Sequence, residues 1–302
     1  MNPDRAFLRP LTTAAFFFGA ASLSLPLAAA DLPVKHVDLD GTRIAYVEQG
    51  QGEPVVLVHG AVFDHRTWER QSAILARNYR VISYSQRYFG TEPWSKDWPQ
   101  FGVATHATDL AAFIKKLGVA PVHVVGWSYG ASVGLALAQQ HPELVKTAYL
   151  FEPAHPTWVT DAGEKKALDD SRAIFAPVGK AVKAGDNDAA ASALLDGVDG
   201  STSVLQTFPP EIQTVVKENA RTLAIAPQAP PAITCEQLGQ VGPKVTVARG
   251  EKTVDFFRLV AETASRCMSQ ARHVVEPGAT HLWPGNDPAA FSESVASSIK
   301  RH

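Results

Sequence analysis

The chain has little of what several protein classes require. Its 28 Lys and Arg are balanced by 30 Asp and Glu, giving a net charge of −2, and the lysines are scattered. No basic face for nucleic acid or an anionic membrane surface is therefore expected. Only two cysteines, Cys235 and Cys267, are present, and no Cys/His spacing of a metal site accompanies them. A dinucleotide-binding glycine fingerprint and internal repeats are also missing. Neither a metal nor another cofactor is expected.

What is there begins with an N-terminal signature. Arg5 and Arg9 precede an apolar stretch, Leu11 to Leu27, that ends in Ala28-Ala29-Ala30 before Asp31. A basic region, an apolar region and a small-residue exit describe a secretory signal peptide over residues 1–30, cleaved after Ala30. The stretch is short, contains Pro26 and is followed by no stop-transfer cluster, so no stable membrane insertion is expected after cleavage. The mature chain is expected to be secreted or periplasmic. In that oxidising setting an even cysteine count favours one disulfide, two buried thiols being the alternative.

About 270 residues then remain, enough for one large α/β domain with an insertion. Val34–Leu39 and Arg43–Glu48 alternate in polarity around Asp40-Gly41, as in a β-hairpin. Val55–Val58 is continuously apolar, as a strand buried on both faces should be. A helix is expected over His65–Arg77, a strand over Val81–Tyr84, and a helix over His106–Leu117 closed by Gly118. Strands follow at Val122–Val125, Thr147–Phe151, Lys244–Ala248 and His273–Val275, with helices at Phe256–Cys267 and Pro288–Lys300. Alternating strands and helices imply an α/β fold: a mostly parallel twisted sheet of about eight strands, helices on both faces. Residues 155–231 break the rhythm and are rich in Ala, Asp and Lys. They read as a helical cap inserted between core segments 31–154 and 232–302, over the sheet edge where open α/β folds bind ligands.

The chemistry centres on Gly126-Trp127-Ser128-Tyr129-Gly130, a G-x-S-x-G pentapeptide directly behind an apolar strand and ahead of a small-residue helix. A serine hydroxyl becomes a useful nucleophile when a tight strand-to-helix turn exposes it to a base. Three further stations fall in order: Val58-His59-Gly60-Ala61, Tyr84-Ser85-Gln86-Arg87-Tyr88-Phe89-Gly90, and Gly278-Ala279-Thr280-His281. With the pentapeptide they resemble the α/β-hydrolase fold superfamily over residues 34–300. The second departs clearly from the usual Asp-x-Arg-Gly-x-Gly loop.

The resemblance implies Ser128 as nucleophile and His281 as base, with backbone N–H groups of Ala61 and Tyr129 forming the oxyanion hole. By position, His59 is expected to be structural, anchoring its loop through the ring nitrogens. Arg87 is expected to pair with a carboxylate that holds the loop after the fourth strand, substrate contact being the alternative. The acid departs from the commonest pattern, because Gly250-Glu251-Lys252-Thr253 has threonine where that pattern has aspartate. Some branches place the acid after the strand that follows the nucleophile helix; haloalkane dehalogenases and zearalenone-type lactonases are similar in this. Glu152 stands there, with Asp255 and Glu251 as alternatives. Phe63, Trp127, Trp158 and Trp283 are expected as substrate-binding aromatics, and Asp64, His65, Arg66 and Trp68 either line the pocket or serve as helix cap and core.

The expected activity is a serine hydrolase cleaving small-molecule carboxylic esters or lactones through an acyl-serine. Amidase, peptidase, haloperoxidase and C–C hydrolase chemistries share this scaffold, as would a non-catalytic ligand-binding protein. Oligomeric state is open at this stage.

Overall fold

The computed structural model describes residues 32–302 except 40, 226, 228, 229, 231, 242 and 243. The expected signal peptide, Asp40 of the hairpin turn and part of the Pro227–Pro231 stretch lie outside the described residues. Eight strands form one sheet: β1 (Lys35–Leu39), β2 (Thr42–Gln49), β3 (Pro54–Val58), β4 (Arg80–Tyr84), β5 (Val122–Trp127), β6 (Val145–Phe151), β7 (Val245–Gly250) and β8 (Arg272–Glu276). Their spatial order is β1-β2-β4-β3-β5-β6-β7-β8. The pairs β1–β2 and β2–β4 are antiparallel, and every other pair is parallel.

Helices occupy α1 (Glu69–Leu75), α2 (Val103–Leu117), α3 (Tyr129–Gln140), α4 (Ala162–Ser171), α5 (Ala176–Lys183), α6 (Asn187–Asp199), α7 (Val204–Thr207), α8 (Pro210–Asn219), α9 (Cys235–Gly239), α10 (Asp255–Cys267), α11 (Trp283–Asn286) and α12 (Pro288–Lys300). The helices α4 to α9 fall between β6 and β7, across the interval whose rhythm differs in the sequence. The helix expected at His65–Arg77 is shorter and divided. Asp64 accepts the Arg66 N–H and starts a 3₁₀ turn over His65–Trp68, after which α1 ends at Leu75.

The central strands are built for double burial. Every residue of β5 is buried, as are Val55 to Val58 of β3, so helices must cover both faces. Small residues in α3 let it lie close to the sheet: a Cβ on Gly134 would come within 3.0 Å of Leu150 and 3.1 Å of Val124. The parallel strands all point their carboxyl ends to one edge, and the loops there carry His59, Ser128, Glu152, Thr253 and His281.

Those loops are tied from behind by polar groups. Arg87 donates from Nε and Nη2 to the two carboxylate oxygens of Asp109, at 2.7 and 2.6 Å, within the core. His59 Nε2 accepts the Gln86 N–H at 3.1 Å, which leaves Nδ1–H to donate to the Gly60 carbonyl at 2.8 Å. His106 Nε2–H donates to the Arg87 carbonyl at 3.0 Å, and its Nδ1 receives the Tyr129 hydroxyl at 2.6 Å. Cys235 and Cys267 form a disulfide, joining the start of α9 to the end of α10.

Two outcomes follow for stability. The disulfide closes a 32-residue separation, so Cys235→Ser with Cys267→Ser should cost about 3–4 kcal/mol by loop-closure entropy. Denaturant titration of the variant, and of the parent with and without reductant, measures this; unchanged midpoints overturn it. Burial also lowers His59 to about 4 and His106 to about 3. The unfolded chain therefore takes up protons below about pH 6.5 that the folded chain refuses, and stability falls on acidification through that window. Each histidine contributes up to about 1.4 kcal/mol per pH unit. Urea midpoints at pH 7.5, 6 and 5 should decline steadily, and His106→Phe, if folded, should flatten that slope.

Candidate active site

Ser128 directly follows β5 and precedes α3, with φ 57° and ψ −117°. A non-glycine residue rarely adopts this conformation, and here two glycines make room for it. A Cβ on Gly126 would meet Gly130 O and Ala131 Cα at 2.6 Å, and one on Gly130 would meet Val58 O at 2.2 Å. Neither position tolerates a side chain without moving backbone. Ser128 N–H donates to the Phe151 carbonyl at 2.9 Å, which continues the β5–β6 ladder one residue past the strand.

Glu152 is the matching residue of β6. It too is left-handed, at φ 51°, and its N–H continues the ladder to the Ala248 carbonyl at 2.9 Å. Its side chain is wholly buried. Oε1 accepts the Gly250 N–H at 2.7 Å, and Oε2 accepts both the Thr253 hydroxyl at 2.9 Å and His281 Nδ1–H at 2.5 Å. The longer glutamate side chain thus carries a carboxylate from the end of β6 to the end of β7. Thr253 stands where the usual pattern has aspartate, and its hydroxyl holds this carboxylate in place. Nδ1 of His281 being the donor, Nε2 is the basic nitrogen.

The other acid candidates are elsewhere. Asp255 is largely exposed and pairs with Arg258 at 2.9 Å. Glu251 accepts the Gly278 N–H at 2.8 Å and so braces the histidine loop without touching the imidazole. That loop lies close to β7 because Gly250 lacks a side chain; a Cβ there would meet Ala279 O at 2.2 Å. Trp127 Nε1–H donates to the His281 carbonyl at 2.9 Å, and Phe257 stacks flat on the imidazole with centroids 3.8 Å apart.

Ser128, His281, Ala61 and Tyr129 border one cavity of about 600 Å³ that residues of α4 and α6 also line. Tyr129 is the first residue of α3, where an N–H has no acceptor within the helix and the helix dipole favours negative charge. Phe63 and Trp127 also line this space, their rings stacked 4.8 Å apart.

Two expected aromatics do not line it. Trp158 is buried with its indole N–H 3.2 Å from Thr263 Oγ1, satisfied inside the fold instead of presented to a ligand. Trp283 packs on Phe151 and Phe291, and its neighbour Leu282 takes the cavity position. Asp64 holds Arg66 and Asn219 outside the cavity, His65 meets Ser85, and Trp68 is core. His155, Phe257, Lys165 and Arg172 border the cavity without having been expected there. Phe257 was legible only as the apolar face of a helix, and the other three sit in the segment whose fold the sequence describes least.

Comparisons with known proteins agree with this architecture. A family model described as alpha/beta hydrolase fold matches residues 53–173. The chain is 34% identical over 125 residues to the 2-hydroxy-6-oxo-6-(2'-aminophenyl)hexa-2,4-dienoic acid hydrolase of Metapseudomonas resinovorans, covering 40% of this chain and 42% of that protein. Matched stretches span 39% to 50% of the curated relatives' own length. Among solved structures, the enol-lactonase of Burkholderia xenovorans LB400 matches with TM-score 0.66 and 18% identity, over 88% of this chain and 100% of that one. Carboxylesterase CesB of Bacillus subtilis matches with TM-score 0.69 and 16% identity, over 90% and 93%. Such structural likeness speaks for the fold. With its eight-stranded, mostly parallel sheet, its strand-to-helix elbow and the family-model match over residues 53–173, the chain has the α/β-hydrolase fold.

Proposed function

We propose that this protein is a secreted serine hydrolase of small-molecule carboxylic esters or lactones. The observation that carries the reading is the fully buried Glu152 carboxylate on His281 Nδ1, in a site whose cavity also holds Ser128 at a strained elbow. Ser128 Oγ attacks the acyl carbon while His281 Nε2 takes its proton. The oxyanion receives the N–H groups of Ala61 and Tyr129, and Glu152 stabilises the imidazolium. His281 then delivers the proton to the leaving alkoxide, releasing the alcohol and leaving an acyl-serine. Water, deprotonated by the same nitrogen, attacks the acyl-serine, and the serine regains its proton as the acid departs. In a lactone the alcohol remains joined to the acyl group.

The apolar cavity supports an uncharged, moderately apolar acyl group. Export is supported by the arginines, apolar stretch and Ala28-Ala29-Ala30 of the N-terminus, and by the disulfide between Cys235 and Cys267. Cleavage of amides or C–C bonds would use the same groups, and a panel of esters, lactones, amides and β-diketones separates these chemistries. A ligand-binding protein would leave all of them intact.

Exported protein, beginning at Asp31 by N-terminal sequencing, should take a fluorophosphonate on Ser128 and hydrolyse short p-nitrophenyl esters. Peptide mapping locates the adduct; absence of labelling in folded protein defeats the nucleophile assignment. Glu152→Gln should lower kcat by about 10³–10⁴ with folding intact, and Thr253→Val by about 10-fold through loss of a hydrogen bond to a charged group. Asp255→Asn should change little. Steady-state kinetics with circular dichroism checks all three, and a collapse in Asp255→Asn alone would move the acid.

A further inference from the structure

One polar side chain in the cavity has no part in the chemistry proposed above. His155 lies three residues beyond Glu152 and borders the same space as Ser128. Its Nδ1 is 3.3 Å from Ser132 Oγ, and its ring meets the Tyr129 ring edge-on at 5.6 Å. Ser132 Oγ already accepts the Ala154 N–H at 2.9 Å. Its own proton has no other acceptor among the described residues, so the hydroxyl donates to Nδ1. That fixes the tautomer: the imidazole proton is on Nε2, which has no protein partner among the described residues. Burial, reinforced by the charge of Arg172, lowers the ring to about 4. His155 is therefore a neutral N–H donor at the wall of an apolar cavity.

A donor placed so is left unpaired by a purely hydrocarbon ligand and satisfied by one carrying an uncharged oxygen. Ser132 is one turn beyond Ser128 on α3, about 6 Å along the helix axis. The oxygen it meets is accordingly a few bonds from the reacting carbonyl. We propose that His155 is a specificity-determining residue whose Nε2–H binds a keto, ether or hydroxyl oxygen in the acyl chain. The substrate class is then an oxygenated acyl ester or lactone, in preference to a plain alkyl one. The inference rests on Ser128 as the site of attack, and its test is a binding measurement that needs no turnover.

Ser128→Ala protein is titrated calorimetrically with N-alkyl amides of equal chain length: unsubstituted, with a keto group at the third, fourth or fifth carbon, and with a terminal carboxylate. One keto position should tighten Kd about tenfold over the unsubstituted chain. Adding His155→Phe should erase that gain, and adding His155→Gln, which keeps an N–H donor, should retain part of it. With ¹⁵N-histidine in the Ser128→Ala protein, the His155 Nε2 resonance should move with the keto ligand and stay still with the unsubstituted one. This last reading holds even if the His155 variants do not fold. A keto gain that survives His155→Phe, the same Nε2 shift with both ligands, or tightening by the carboxylate alone overturns the proposal. The carboxylate result would assign selection to the rim cations Lys165 and Arg172. Failure of the parent protein to hydrolyse any ester removes the hydrolase reading and leaves the binding result decisive for His155.

Discussion

A buried carboxylate needs compensation, and Glu152 is the constraint around which the rest of this site is arranged. Moving a carboxylate out of water costs several kcal/mol unless its oxygens are fully engaged. Three donors engage it: a backbone N–H at the end of β7, the Thr253 hydroxyl, and the imidazole of His281. Satisfying the charge and orienting the imidazole are therefore one act. The same donors explain why the histidine loop, the end of β7 and the first turn after β6 must close together.

Apart from that charge and the two cations Lys165 and Arg172 that also border the cavity, the groups around the elbow are neutral. Three histidines nearby, His59, His106 and His155, are held neutral chiefly by burial. His106 links the Tyr129 hydroxyl to the backbone of Arg87, whose guanidinium is in turn held by Asp109. The residue next to the elbow is thus supported from below by hydrogen bonds that carry no net charge toward the cavity. Phe257, flat against His281, closes another side with a surface that cannot compete for the imidazole proton.

Much of this is legible in the sequence. Period-2 and continuous apolar runs mark the strands because burial on one or both faces demands them, and Gly118 ends its helix in the left-handed conformation that its lack of a side chain permits. Thr253 in place of aspartate directs attention to Glu152, since a buried imidazole of this kind needs a carboxylate from somewhere. Trp158 and Trp283 misled because an indole advertises apolar area equally well for a core and for a pocket. His155 carried no signal at all: its environment depends on a helix turn and a loop that meet only in three dimensions. The helix expected through Arg77 overran because apolar spacing alone does not register the capped 3₁₀ turn at Asp64.

Ser128 and Glu152 occupy the same step on neighbouring strands, each the first residue past its strand, each with its N–H still bonded to the next strand over. Their separation is therefore set by the inter-strand repeat, about 4.8 Å, and shares the stiffness of the whole sheet. A loop-borne pair would drift with every change in its loop. Here the helical segment over the cavity can be lengthened, shortened or recoloured without disturbing the spacing of the two groups beneath it. The sheet acts as a ruler, and the segment between β6 and β7 is left as the part that adapts.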